Sequence, residues 1–172
     1  MSFTPTRRHA LFASLGLLAI HIAACRPDEK EQAIHGQSMP HIPKPEIIYF
    51  SVNLLSYLER PIFDVLLNGK FIGDSAGQLH RGNGGIITGI PVPLGPQTVT
   101  WRLDGPEGMP GNGDTTHSSN TPILNRPDKK FTYLGVHIYP DNTVELIPEK
   151  FWPEKTPRGL EINRQWEILH NQ

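Results

Sequence analysis

Gly73-Asp74-Ser75-Ala76-Gly77 matches Gly-x-Ser-x-Gly, the spacing in which a strained strand-to-helix turn lifts a serine hydroxyl clear for attack on an ester. Downstream acids and histidines, Asp104, Asp114, Asp128, Asp141, His117, His137 and His170, follow in an order a serine hydrolase could use. The flanks oppose that chemistry. A hairpin pattern precedes the serine, and Gln78 to Gly85 is too glycine-rich for the helix that must follow it. Gly82-Asn83-Gly84-Gly85 lacks the Gly-Lys-Ser/Thr continuation of a phosphate-binding loop and reads as a turn between strands. His35 and His41 stand six residues apart with no acid or thiol cluster beside them, so they read as solvated side chains. His137 falls in an alternating strand beside Tyr139, where a hydrogen-bonded structural role is expected, and Trp101 falls on the apolar side of its strand, as a core residue does. No cofactor or metal is implied, and the chain reads as a non-enzyme.

Cys25 carries the one clear piece of chemistry. Arg7 and Arg8 precede an apolar run, Ala10 to Ala24, which ends in Ile22-Ala23-Ala24-Cys25. That run of about 15 residues is shorter than the roughly 20 a helix needs to span a bilayer. Met1 to Ala24 therefore reads as a signal peptide, and Ile-Ala-Ala-Cys resembles the bacterial lipobox. The resemblance implies lipidation of Cys25, cleavage before it and acylation of the new amino group, with several acyl chains giving a stable anchor. Arg26 is not the aspartate linked with inner-membrane retention, so attachment to the outer membrane, facing the periplasm, is expected. Inner-membrane attachment stays open. The chain's single cysteine leaves no disulfide framework for an exported domain, which must rely on its core.

Arg26 to Pro45 is polar, proline-bearing and without period, and reads as residues 25–45 of a flexible tether. From Glu46, Ile48, Phe50, Val52 and Leu54 alternate with polar positions, and Phe63, Val65 and Leu67 alternate up to Asn68-Gly69, a type I′ hairpin signal. Ile86, Thr88, Ile90, Val92 and Leu94 share one side of a strand whose Pro91 and Pro93 suit only a sheet edge. Gly95-Pro96 turns the chain into Thr98 to Asp104, with Val99, Trp101 and Leu103 inward. Phe131 to Tyr139 and Val144 to Ile147 form a further hairpin across Pro140-Asp141-Asn142-Thr143. Thr156 caps and Pro157 opens a short helix that lays Ile162, Trp166 and Leu169 on the sandwich, with Gly159 weakening it. Residues 46–172 are thus expected to be mainly β, an antiparallel β-sandwich of about seven strands, immunoglobulin-like or transthyretin-like, with a short C-terminal helix.

A content of 17 prolines and 16 glycines in 172 residues fits such a loop-rich domain. Basic and acidic side chains number 16 and 17, and removal of Met1–Ala24 takes Arg7 and Arg8 and no acid, leaving 14 against 17. A mildly acidic domain offers no footprint for nucleic acid. The polar segment from Asp104 to Arg126 exceeds the usual connection of about 4 to 6 residues, and loops of that length tend to be functional. Asp104, Glu107, Met109, Asn112 and Asp114 are its candidate partner-binding residues.

The blocks VNLLSY (Val52–Tyr57), RPIFDVLLNG (Arg60–Gly69), PLGPQTVTWRLDGPEG (Pro93–Gly108), NGDT (Asn112–Thr115) and YLGVHIYPD (Tyr133–Asp141) resemble those of small bacterial lipoproteins associated with type VI secretion and phospholipase-type effectors. The resemblance spans roughly Ile47 to Trp166. It implies an immunity protein, a lipid-anchored inhibitor that meets a secreted lipase toxin in the periplasm, and it carries over no catalytic residue. Two other readings compete: a structural or assembly lipoprotein of the envelope, and a serine hydrolase using Ser75.

Overall fold

A computed structural model describes residues 44–78 and 83–170. The signal peptide, Cys25, the two tether histidines and the tether itself up to Pro43 lie outside the described residues. Among the described residues ten strands and one helix follow in chain order: β1 (Ile47–Ser56), β2 (Ile62–Leu67), β3 (Lys70–Ser75), β4 (Asn83–Pro93), β5 (Gly95–Pro96), β6 (Val99–Leu103), β7 (Thr115–His117), β8 (Ile123–Leu124), β9 (Tyr133–Ile138), β10 (Val144–Glu149) and α1 (Pro157–His170). One sheet has the order β10-β9-β1-β4 and a second the order β3-β2-β6-β7, with β5 and β8 as a minor pair. The fold is the expected β-sandwich, with three short strands added to the seven read from the sequence.

The core fills the space between the two main sheets. Phe50, Val52 and Leu54 of β1, Val65 and Leu67 of β2, Val92 of β4, Trp101 of β6 and Leu134 of β9 are buried together there. Every strand pair is antiparallel except β1 with β9, which run parallel from Ser51↔Tyr133 to Ser56↔Ile138. β4 is an edge, as the prolines require. Leu94 donates its N–H to the Glu46 carbonyl at 2.9 Å. Alternation along the strand therefore turns Pro91 and Pro93, which have no N–H to give, away from β1.

Within the strands, pairing and parity depart from the sequence pattern. β4 and β6 do not pair; Gly95, at φ 101°, carries the chain from one sheet to the other. In β4 the register steps from Ile90↔Phe50 to Ile87↔Val52, a bulge in which Gly89 takes φ 74°. The extra residue reverses the parity, so Ile87 packs on the core and Thr88 is exposed. In β2 a bulge with Asp64 at φ 49° turns Phe63 outward, under the Arg102 guanidinium at 4.6 Å, while Ile62 goes inward.

The β2–β3 turn is as read, with Asn68 and Gly69 both at positive φ (50° and 74°). The helix begins where expected: Thr156 Oγ1 accepts the Gly159 N–H at 2.9 Å. Its face does not match. Ile162 packs on Tyr57 and Tyr139 and Trp166 is half-buried, but Leu169 is 70% exposed. Gly159, which weakens a helix in isolation, is what seats this one. A Cβ at that position would overlap the hydroxyl end of the Tyr57 ring, 2.1 Å from its Cζ, so only glycine lets the helix approach so closely.

Candidate functional site

The segment from Asp104 to Arg126 is more structured than its composition suggests. β6 continues through residues 104–114 into β7, and the loop closes on itself through Leu103 N–H to Asp114 O at 3.0 Å and Gly113 N–H to Leu103 O at 2.8 Å. Further on, Asn120 bonds both polar groups of Val144, donating from Nδ2 at 2.9 Å and accepting at Oδ1 at 2.8 Å. Arg126 Nη1 donates to Glu46 Oε1 at 2.6 Å. What stands clear is the compact loop 104–114.

Arg60, which no sequence pattern singles out, holds that loop together. Its Nε donates to Asp104 O at 2.8 Å, its Nη1 to Pro110 O at 3.2 Å and its Nη2 to Asn112 Oδ1 at 2.6 Å. Asn112 in turn donates from Nδ2 to Gly105 O at 3.1 Å and Pro106 O at 2.8 Å. The planar guanidinium satisfies carbonyls that the turning backbone cannot pair with itself. Of the five expected contact residues, Asn112 is thus a brace, and Asp104 spends one oxygen on the Gly105 N–H at 2.8 Å. Glu107, Met109 and Asp114 are exposed on the same loop, Met109 at 39%.

Beside the loop lies a depression of about 500 Å³ lined by Leu58, Glu59, Arg60, Pro61, Pro106, Met109 and Pro140. A second, of about 210 Å³, shares Glu59 and Pro140 and reaches Ile162, Trp166 and Leu169 of α1. On the other flank of α1, Trp152 and Leu160 rim a third, of about 370 Å³, over Asn53 and Leu55.

Beneath the helix, on the outer face of the β1–β9 sheet, sits a buried polar and aromatic cluster. Tyr57 OH and His137 Nδ1 are 3.0 Å apart, and Tyr57 stacks on Tyr139 at 5.1 Å. Tyr139 donates its hydroxyl to Glu145 Oε2 at 2.7 Å. That leaves Thr156, 2.8 Å away, to donate its own hydroxyl to the Tyr139 oxygen while accepting from the helix. Burial lowers the His137 pKa to about 4 against the opposing pull of Glu145, so the ring is neutral at pH 7. Burial likewise pushes the Tyr139 hydroxyl well above its usual range. Arg158 lies 3.9 Å over the Tyr139 ring and donates to Asp141 at 2.8 Å. The Thr143 hydroxyl, followed by its backbone N–H and Arg158, lowers the Asp141 carboxyl to about 2. His137 is thus a structural, hydrogen-bonded histidine, and the cluster fastens α1 to the sheet.

Ser75 does not stand on an elbow. It ends β3, which pairs antiparallel with β2, and it is 3% exposed, with its Oγ 3.4 Å from the Gly77 N–H. Asp74 supports the neighbouring strand, its Oδ1 accepting the Asp64 N–H at the β2 bulge, at 2.8 Å. Asn83-Gly84-Gly85 opens β4 instead of forming a turn; Leu79 to Gly82 lie outside the described residues. Among the described residues no group of three or more His, Cys, Asp or Glu could hold a metal ion. Trp101 is fully buried in the core. Comparison with protein-family models, with curated proteins and with solved structures finds no match to this chain.

Proposed function

We propose that this chain is a lipid-anchored, periplasm-facing inhibitor that binds and neutralises a type VI-secreted lipase-type toxin. The observation that carries the reading is the loop 104–114, braced from within by Arg60 and Asn112 while Glu107 and Met109 stay exposed. A loop fixed before it meets its partner loses little conformational entropy on binding, which is what tight inhibitors require. The lipobox-like Ile22-Ala23-Ala24-Cys25 and the resemblance of Ile47–Trp166 to immunity-type lipoproteins supply the partner class and the location.

The test is protection. Cells exporting to their periplasm the secreted lipase encoded beside this gene should survive with the wild-type chain. Met109→Asp with Glu107→Arg should keep the wild-type melting temperature and lose most of that protection. Survival without any copy of this chain, or no binding between the purified proteins, would end the inhibitor reading. A constitutive envelope partner is the second reading, favoured by a separate exposed aromatic patch, Phe151 at 70% and Trp152 at 54%. Envelope defects on deletion with no toxin present would support it.

A further inference from the structure

We infer that the end of the sandwich where the chain enters at Lys44 is a membrane-docking surface, in which exposed lysines and apolar side chains rest on the anionic phospholipid headgroups of the bilayer that holds Cys25. The choice of a bilayer as occupant rests on the reading of Cys25 as the lipidated residue. It does not depend on which protein the chain inhibits.

The topology gathers this end from distant parts of the chain. Ser51 of β1 is level with Tyr133 of β9, and Tyr133 with Glu149 of β10, so the start of β1, the start of β9 and the end of β10 lie side by side. Ile47 pairs with Pro93 at the end of β4, Gln97 donates to the Pro93 carbonyl at 2.7 Å, and Asn68 donates to Gln97 at 2.5 Å. Those bonds bring the tip of the β2–β3 hairpin to the same end. Lys44, Lys70, Lys129, Lys130 and Lys150 all stand there and all are exposed, five of the six lysines among the described residues. Apolar side chains stand out between them: Ile47 at 43%, Phe71 at 45%, Ile123 at 59% and Phe151 at 70%. Lys150 Nζ lies 4.7 Å from the centre of the Phe151 ring, so cation and apolar surface are presented together.

Charge selects the occupant. With Arg126 this end carries six cations, against the three carboxylates of Glu46, Asp128 and Glu149. Glu46 is already paired with Arg126, and Asp128 accepts the Lys130 N–H at 3.0 Å. The other described residues carry five cations and eleven carboxylates. The charge is therefore divided along the strands, and an anionic surface attracts this end while repelling the remainder. Lysine supplies the attraction and the apolar side chains supply area to bury at the headgroup boundary, the two parts of an interfacial contact. A second copy could meet the lysines only with its acidic end, a head-to-tail contact that does not close. Cys25 lies 19 residues before Lys44 in the chain, so an acylated Cys25 keeps a bilayer within reach of this end. β6 runs from here to the loop 104–114, and docking would hold that loop away from the lipid.

The experiment is cosedimentation of the mature chain, Arg26 to Gln172 without acyl chains, with lipid vesicles. Vesicles of phosphatidylethanolamine with phosphatidylglycerol should bind it at least fivefold better than phosphatidylcholine vesicles, and added salt should weaken the binding. Lys129→Glu with Lys130→Glu should weaken it at least fivefold and Phe151→Ser at least twofold, both without lowering the melting temperature, because these side chains are exposed. Met109→Asp, at the far end of the sandwich, should change nothing. A wild type that ignores phosphatidylglycerol vesicles, or binds phosphatidylcholine equally well, overturns the inference. So does equal binding by the lysine and Phe151 variants. Salt-sensitive self-association in place of vesicle binding would assign this end to a second copy and overturn it too. Because the chain used carries no acyl group, failure here leaves the lipidation of Cys25 and the inhibitor reading standing.

Discussion

His137 and Trp101 are both fully buried, and they make opposite demands on the fold. His137 is held neutral by burial, so in the folded chain it takes up its proton only near pH 4, whereas an unfolded histidine does so near 6.5. Between those values the unfolded chain binds more protons, so stability rises with pH across that window. The stability at stake is complete above about pH 6.5 and is lost as pH falls toward 4, on the order of 3 kcal/mol. Urea titrations from pH 8 to pH 4 should show a flat midpoint down to about 6.5 and a fall below it. His137→Gln, which cannot titrate, should remove most of that slope; an unchanged slope would place its origin in other groups. Trp101 packs between the sheets, and its Nε1 finds no acceptor among the described residues. Trp101→Ala should cost about 3 to 5 kcal/mol, as large aromatic truncations do. Trp101→Phe should cost much less, because it removes an unpaired donor along with the lost area. Equal costs for the two would mean that the indole nitrogen is paired after all.

Elements were legible from the sequence where one local rule decides them. The Asn68-Gly69 turn, the Thr156 cap and the proline-marked edge at Pro91 and Pro93 all follow from backbone chemistry confined to a few residues. The bulges were not legible, since Gly89 and Asp64 reverse a strand's parity without altering the composition around it. The parallel β1–β9 pairing was hidden too. Its one trace is the run Leu134–Tyr139, buried on both faces as a strand covered by helix on one side and sheet on the other must be. Gly159 misled for a general reason: propensity ranks a residue by the isolated helix, where Ala is better than Gly by about 1 kcal/mol. Against the Tyr57 ring the sign reverses. Gly159→Ala should lower stability by about 1 to 3 kcal/mol, the usual cost of overpacking a tight contact. A rise in the unfolding midpoint would mean that α1 is not seated on Tyr57. Leu160→Ala, one residue on and 56% exposed, should leave the midpoint nearly unchanged.

At the scale of the whole molecule the candidate site was half legible. Composition and length mark out the segment 104–126, and its Glu107 and Met109 are exposed, but the brace at Arg60 is 44 residues from its first partner and no spacing rule reaches that far. The consequence is practical. Excising Glu107 to Asp114 would remove the Gly113 and Asp114 bonds that close β6 onto β7, so point substitutions are the cleaner probe of binding. The proposed anchor is a separate matter, since Cys25 lies outside the described residues and its lipidation is testable apart from the β-sandwich. Lipidation of Cys25 predicts that a radiolabelled fatty acid marks the wild-type chain and not Cys25→Ser. If anchoring serves only to hold the inhibitor where the toxin arrives, affinity should not depend on it. A chain exported by an ordinary secretory signal in place of residues 1–25 should then bind the adjoining lipase with unchanged Kd. In cells it should protect less at equal expression, because a soluble inhibitor is diluted through the periplasm while an anchored one is concentrated at the lipid the enzyme attacks. Equal protection by the soluble form would show that the anchor adds nothing to inhibition. An unlabelled wild type would remove the anchor itself and leave the β-sandwich as a freely diffusing binder.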